Sequence, residues 1–341
     1  MSWFSRLCIS RNDMKNSIRN ELFALAHKAK SIAITTHIHS DGDGMVAAFA
    51  LQEILRIKGF ASTIITDGED LSRYSFLMDK AVHQPFAEGM QYELLMVLDC
   101  NSRDRLGPRA ALVDAAEMLF VLDHHVPEHG VISADLQLID PHYVSAGAML
   151  FRLFERDIMG FEPSARKFIS EAVYVTILND TNNFSNANTR AEVFQLCACL
   201  ARQGAQPHLL HQAFLQNQSP QEMLYVGHSL ASIRLHLEDR VLFLHSDLAL
   251  AKDLNYDPAS AMSVSRYVQG VANLSALAYF QEVQQEVWKI SLRSLKLNVQ
   301  EIAASHGGGG HRKASGLTLK GNLQEVQDII LKELSQAIKK L

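Results

Sequence analysis

Apolar residues recur along this chain in two periods. Short unbroken runs at Ser31–Thr36 (SIAITT), Ser62–Thr66 (STIIT), Leu94–Leu98 (LLMVL) and Met118–Leu122 (MLFVL) are bounded by polar or breaking residues. That is the pattern of strands buried on both faces. Between them Ser17–Lys30, Gly44–Lys58 and Arg109–Ala116 carry helical patterns. Strands alternating with helices predict an α/β fold whose N-terminal sheet is mainly parallel and doubly wound. Residues 144–159, 163–179, 188–203 and most of 219–238 read as helix. A second alternation begins at Arg240, with strands at Val241–His245, Leu274–Gln281 and Glu286–Arg293, a helix over Ala259–Val271, a glycine loop and a last helix at Leu323–Leu341. It predicts a smaller C-terminal α/β domain. Gly204–Pro220 (GAQPHLLHQAFLQNQSP) has breakers at both ends. The expected division is therefore a domain over 15–203, a linker and connector helix over 204–238, and a domain over 239–341.

Composition adds few constraints. With 341 residues, 48% hydrophobic and 20% charged, the chain can bury sizeable cores. No segment approaches the roughly 18 consecutive apolar residues of a membrane span. The start, MSWFSRLCISRNDMK, lacks the long apolar run and small-residue cleavage site of a secretory signal, so a ragged N-terminus and a cytoplasmic location are expected. Cys8, Cys100, Cys197 and Cys199 show no Cys-x-x-Cys spacing and read as free thiols. A formal charge of −5 argues against holding long nucleic acid by counterion release and leaves short anionic ligands open.

The candidate chemistry sits where strands end. Thr36 is followed by His37, Asp41 and Asp43, Leu98 by Asp99, and Leu122 by Asp123, His124 and His125. Taken singly, Asp43 is a good helix N-cap and Asp-Gly pairs make turns. Open parallel sheets, however, bind ligands in the crevice beyond the carboxyl ends of their strands. Three such ends carrying acids and imidazoles, with Asp180 later in LNDTNNF, describe a shared site. Adjacent carboxylates are costly unless cations sit among them. A donor set of carboxylate and imidazole without thiolate suits Mn²⁺, Fe²⁺, Mg²⁺ or Co²⁺. It is large enough for two ions about 3.5–4 Å apart, the arrangement that activates water and clamps a phosphoryl group.

These stretches resemble the motifs of the DHH phosphoesterases in order: His37-x-x-x-Asp41-x-Asp43, then Asp99, then Asp123-His124-His125, then Asp180. Gly307-Gly-Gly-Gly-His311-Arg-Lys-Ala-Ser-Gly316 is similar to the glycine signature of the associated DHHA1 domain, with Ser291-Leu-Arg293-Ser294 upstream. Ser40 departs from the proline common in the branch that degrades very short RNA. The resemblance implies two divalent ions, most readily Mn²⁺, one held by His37, Asp41 and Asp99 and the other by Asp43, Asp99, His124 and Asp180, with Asp99 bridging. It implies His125 as the acid or orienting group at the phosphate. Asp123 is assigned as the partner of a metal-bound imidazole, and His39 is expected to be peripheral.

Four glycines allow close backbone approach and converging N–H groups, with His311, Arg312 and Lys313 beside them. Arg293 suits bidentate contact with a terminal phosphate. Ser291, Arg293, Gly308, Gly309, Gly310, His311 and Arg312 are thus expected to hold substrate, and Arg103 to reach into the metal crevice. The implied activity is hydrolysis of very short oligonucleotides, and of 3′-phosphoadenosine 5′-phosphate, by a two-metal-activated hydroxide. The alternative is a cyclic (c-di-AMP) or linear dinucleotide phosphodiesterase. Partners would be short oligonucleotides or nucleotides, with neither long nucleic acid nor membrane; a homodimer is left open.

Overall fold

A computed structural model describes residues 11–38, 40–127, 130–257, 264–268 and 270–340. The first ten residues, with Cys8, lie outside that range, as do His39 and the first part of the helix expected over 259–271. The chain divides between Asn217 and Gln218 into two compact units.

The first unit runs α1 (Arg11–Lys28), β1 (Ile32–Thr35), α2 (Gly44–Ile57), β2 (Thr63–Thr66), β3 (His83–Pro85), β4 (Leu94–Leu98), α3 (Ala110–Ala115), β5 (Met118–Asp123), β6 (Leu136–Ile139), α4 (Ala146–Met159), α5 (Pro163–Asp180), α6 (Ala191–Arg202) and α7 (Pro207–Leu215). Its sheet has the order β3-β2-β1-β4-β5-β6 with every pairing parallel. The expected mainly parallel, doubly wound fold is therefore what forms. Side chains alternate across the pleat. Ile32, Ile34, Leu94, Met96, Leu98, Phe120 and Leu122 pack toward α2, α4 and α5, while Ala33, Ile65, Leu95, Val97, Leu119 and Val121 face Leu106 and Leu112 on the other side. α2 is buried nearly all round, as a helix in the middle of a core must be. Its Gln52 is satisfied there by the carbonyls of Ser62 and Val82 and by the N–H of Val82.

Register positions the site. Thr35 lies opposite Val97 and Leu98 opposite Leu122, so β1, β4 and β5 end nearly level. Strand order reverses direction between β1 and β4, the switch point where a crevice opens. The edge strands β3 (HQP) and β6 (LQLI) are not among the strands expected from the sequence. β3 is exposed and ends in proline, which only an edge tolerates.

The second unit runs α8 (Pro220–Ala231), β7 (Arg234–His236), β8 (Val241–Ser246), α9 (Leu248–Asp253), β9 (Ala276–Gln284), β10 (Val287–Arg293), α10 (Val299–Ser305), β11 (Gly309–His311), β12 (Ala314–Lys320) and α11 (Leu323–Lys339). Its sheet order is β11-β12-β10-β9-β8-β7, antiparallel except for β8 with β9. α11 starts with a capping box of Asn322 and Glu325 and buries Val326, Ile330, Leu334 and Ile338 along one stripe. Two expectations shift here. The helix read over most of 219–238 stops at Ala231 and the chain turns into β7. The glycine loop is mostly a β-hairpin: a Cβ at Gly308 would lie 2.2 Å from the Gly316 carbonyl oxygen, and Gly310, at φ +131, would place one 2.7 Å from that of Ala314. Those two glycines are needed for close strand pairing, whatever else they do.

Among the described residues no helix is long and apolar enough to cross a membrane. Cys100, Cys197 and Cys199 are free thiols.

Candidate metal centre

Each acid and imidazole of the first unit reaches the crevice by a local device. Asp99 directly follows β4 with φ +56, a left-handed conformation that Asp tolerates better than most residues. Its N–H donates to the Leu122 carbonyl at 2.9 Å, which keeps β4 and β5 in step to the last residue. Gly44 lets α2 start against it, since a Cβ there would lie 3.2 Å from Asp99 Oδ2 and 2.9 Å from Ser40 Oγ. Asp41 accepts the N–H of Asp43 at 2.9 Å, folding the loop so that the two carboxylates diverge. Asp180 ends α5, and its carbonyl is held by the side-chain amides of Asn186 and Asn188.

These side chains meet. Donor atoms of His37, Asp41 and Asp99 converge, as do those of Asp43, His124 and Asp180, and a third group joins Asp99, His124 and His125; within each group the atoms lie within 4.8 Å of one another. His124 Nε2 is 2.9 Å from Asp180 Oδ2 and 3.4 Å from both Asp43 Oδ2 and Asp99 Oδ1. None of these contacts is aligned as a hydrogen bond, and both His124 Nε2 and Asp99 Oδ1 are buried without a hydrogen-bond partner. A buried nitrogen aimed among three carboxylates but bonded to none fits a shared cation better than a proton. With no thiolate in the set, the residues suit oxygen- and nitrogen-preferring divalent ions.

The electrostatics point the same way. Burial, then Asp180 and Asp99, push the Asp43 carboxyl well above its usual range; burial, Asp99 and Asp180 raise Asp41. Burial opposes charge on His124, but the facing carboxylates of Asp180 and Asp99 raise its imidazole to about 12. His37 is raised against burial by Asp99, while Asp99 itself is held low, against burial, by His124 and His37. Without cations the cluster takes up protons to balance its charge. Metal ligands must be deprotonated, and raised imidazole values mean fewer deprotonated rings as pH falls. Affinity for a divalent ion is therefore expected to rise as pH is raised above the ordinary imidazole range, with protons released on binding. Calorimetric titrations at one pH in buffers of different ionisation enthalpy check this. A binding enthalpy independent of buffer would contradict it.

Some residues act differently from expectation. Asp43 precedes α2 but makes no side-chain cap to it. Its oxygens instead accept the N–H groups of Ala146 (2.6 Å) and Gly147 (3.1 Å), so it caps the positive end of α4. Asp123 partners His125 rather than His37 or His124: its Oδ1 is 2.8 Å from His125 Nδ1 and 3.1 Å from His125 N. In the two-residue step from Asp123 to His125 the carboxylate folds back on its own loop. Arg103 does not reach into the crevice; it forms a two-pronged pair with Asp114 at the surface, because the turn after Ser102 carries its side chain outward. In the second unit Ser291 and Arg293 sit on β10, opposite Gly316 and Ala314 of β12. Arg293 is largely buried, which lowers its pKa, and donates to the Leu292 carbonyl. Gly309 faces open space, and Arg312 is exposed at the hairpin turn. The side chain of His311 and the whole of His39 lie outside the described residues.

Two further residues, Asn179 and Phe214, shape the centre. Asn179 accepts from Gly42 N at 3.2 Å and donates to Asp180 Oδ1 at 3.1 Å, tying two metal-group loops together. Phe214 covers Gly42, where a Cβ would lie 2.6 Å from its Cζ, and Arg73 stacks on the ring at 4.3 Å. Asn179 was visible in the LNDTNN stretch; nothing local marked Phe214.

Family models match most of the chain: the one described as DHH family, N-terminal domain, over residues 31–177, and that of the DHHA1 domain over 243–340. The bifunctional oligoribonuclease and PAP phosphatase NrnA of Thermus thermophilus is 27% identical over 311 residues, 90% of this chain and 90% of that one. The protein of the same description from Mycoplasma pneumoniae is 25% identical over 321 residues, 92% and 96% of the two chains. A crystal structure of an exopolyphosphatase-related protein from Bacteroides fragilis has a TM-score of 0.82 at 20% identity, covering 95% of this chain and 96% of that one. That is a likeness of fold.

Proposed function

The chain belongs to the DHH family and carries a DHHA1 domain, and from that premise we propose that it is a metal-dependent hydrolase of very short oligonucleotides and of 3′-phosphoadenosine 5′-phosphate. The observation that carries this is the convergence of His37, Asp41, Asp43, Asp99, His124 and Asp180, with a buried His124 nitrogen bonded to none of its carboxylate neighbours. Relatives of matching length described as oligoribonuclease and PAP phosphatase support the substrate class.

His37, Asp41 and Asp99 would hold one divalent ion and Asp43, Asp99, His124 and Asp180 the other; the donors suit Mn²⁺, Fe²⁺, Mg²⁺ or Co²⁺, and the family resemblance makes manganese the first choice. Such a pair, when bound, makes water a nucleophile at neutral pH and neutralises phosphoryl oxygens. Asp43 keeps a fixed direction because α4 donates two N–H groups to it. His125 Nδ1 is committed to Asp123, so its other ring nitrogen serves the reaction. There it gives a proton to the oxygen that leaves as the P–O bond breaks and water's oxygen bonds to phosphorus. In this reading the 15–203 region cuts and the 239–341 region holds substrate through Ser291, Arg293, the Gly308–Gly310 backbone, His311 and Arg312.

A substrate panel tests the proposal. Full-length protein with Mn²⁺ would be given a linear dinucleotide, 3′-phosphoadenosine 5′-phosphate, cyclic di-AMP and an RNA of about twenty nucleotides. The expected order of kcat/KM places the dinucleotide first, the bisphosphate next and the long RNA last, since a net acidic chain gains little from extra phosphates. Preference for the cyclic compound would replace the proposal with a cyclic-dinucleotide phosphodiesterase.

A further inference from the structure

Arg109 ends the turn Arg103–Arg109 and its residue is only 1% exposed. Burying a guanidinium is costly unless its donors are met. Nη1 donates to Thr35 Oγ1 at 3.0 Å and to the Ile65 carbonyl at 2.9 Å. Nη2 donates to the His37 carbonyl at 2.9 Å and lies 3.7 Å from Asp67 Oδ2. One planar cation thus joins the carboxyl ends of β1 and β2 to the first residue of the metal loop.

The same turn grips the other side of the His37–Ile38 peptide group. Ile38 N donates to the Arg105 carbonyl at 2.8 Å, and Gly107, at φ +55, packs where a Cβ would lie 2.6 Å from Ile38 Cγ2. His37 completes the arrangement. Its Nδ1 is 2.8 Å from the Ile38 carbonyl oxygen, so Nδ1–H donates there, and Nε2 is turned to Asp99 at 3.5 Å and Asp41 at 4.0 Å. The ring plane of His37 therefore depends on the Ile38 carbonyl, and the peptide group just before it is held on both sides, by Arg109 at the His37 carbonyl and by the Arg105 carbonyl at the Ile38 N–H. Thr35 Oγ1 already donates to Ile65 O, so joining the two strands does not by itself call for a buried charge. A rigid fork that spans two strands and a loop does.

We propose that Arg109 is a positioning residue for the metal centre: it fixes the orientation of His37, and through it the affinity of the His37–Asp41–Asp99 group for a divalent ion, while touching neither ion nor substrate. This rests on the metal-centre reading above.

The test is calorimetric titration of the full chain with Mn²⁺ alone, for wild type, Arg109→Lys, Arg109→Gln, His37→Ala and the double variant His37→Ala/Arg109→Lys. Lysine keeps the charge without the fork; glutamine keeps amide donors without the charge. Both Arg109 variants are expected to weaken, by about tenfold or more, the ion class that His37→Ala also weakens. The other class should stay unchanged. Adding Arg109→Lys to His37→Ala should cost nothing further, because both act at one ring. Should Arg109→Gln fail to fold, Arg109→Lys carries the comparison. Equal weakening of both classes, a further loss in the His37→Ala background, or no loss in either single variant would overturn the role. Wild-type protein that binds no Mn²⁺ would instead sink the metal-centre reading.

Discussion

Replacing Asp99 with Asn is expected to abolish turnover while the fold stands. Asp99 is 1% exposed, and its carboxylate lies 3.5 Å from His37 Nε2, 3.4 Å from His124 Nε2 and 3.3 Å from His125 Nδ1. Among the described residues no other carboxylate of the crevice faces all three imidazoles. Asn accepts the left-handed backbone at φ +56 as readily as Asp and keeps the N–H bond to Leu122, so β4 and β5 stay in register. The charge between the two ion groups is lost, and half of the side chain becomes a donor facing positions meant for cations. Removing a single preorganised electrostatic group costs about 10²–10³ in kcat; in the proposed centre, where Asp99 would serve both ions, the loss should reach at least the upper end. Turnover of a dinucleotide, manganese content and circular dichroism together check this. Unchanged turnover would refute the assigned centre.

The second large effect is expected from Gly147→Ala, which acts without touching any ion. Gly147 is the second residue of α4, and a Cβ there would lie 2.2 Å from Thr176 Oγ1 and 2.6 Å from Thr176 Cγ2 on α5. Thr176 is fully buried and bonded to Ser145 Oγ and the Val173 carbonyl, so it has nowhere to turn. The helices must separate where Gly147 and Ala146 donate to Asp43. Overpacking of this kind costs about 1–3 kcal/mol, read as a lower urea midpoint. Displacing the N–H groups behind Asp43, a ligand in the proposed centre, should also weaken Mn²⁺ binding by about tenfold or more. Thr176→Ala in the same chain should restore part of both. A Gly147→Ala protein as stable as wild type would contradict the packing argument.

Local pattern reached far into this molecule where interactions are local or strongly periodic. LLMVL and MLFVL have too little polar surface to be anything but interior strands, and strand-helix alternation then leaves few topologies. The convergence of His37, Asp99 and His124 was readable because parallel strands in level register carry their next residues to one edge. β3 and β6 were not readable: an edge strand has one neighbour and one covered face, so HQP and LQLI need little apolar character.

What the chain determined by itself, then, was the parallel core, the identity of the acids and imidazoles at its strand ends, and the DHH and DHHA1 motifs that name its family. Tertiary structure alone decided which partner each polar group took. Asp43 looked like a cap for its own helix and is bonded to α4, 103 residues on. Arg103 and Arg109 stand six positions apart in one turn, yet the first pairs with Asp114 at the surface and the second lies buried beneath the His37 loop. Gly308 and Gly310, which suggested an anion cradle, are also demanded by the closeness of β12. The physical reason is common to these cases. Burial of apolar runs depends on composition within a few residues, whereas a hydrogen bond or ion pair depends on distances of a few ångströms between segments far apart in sequence, and those distances exist only after the core has packed.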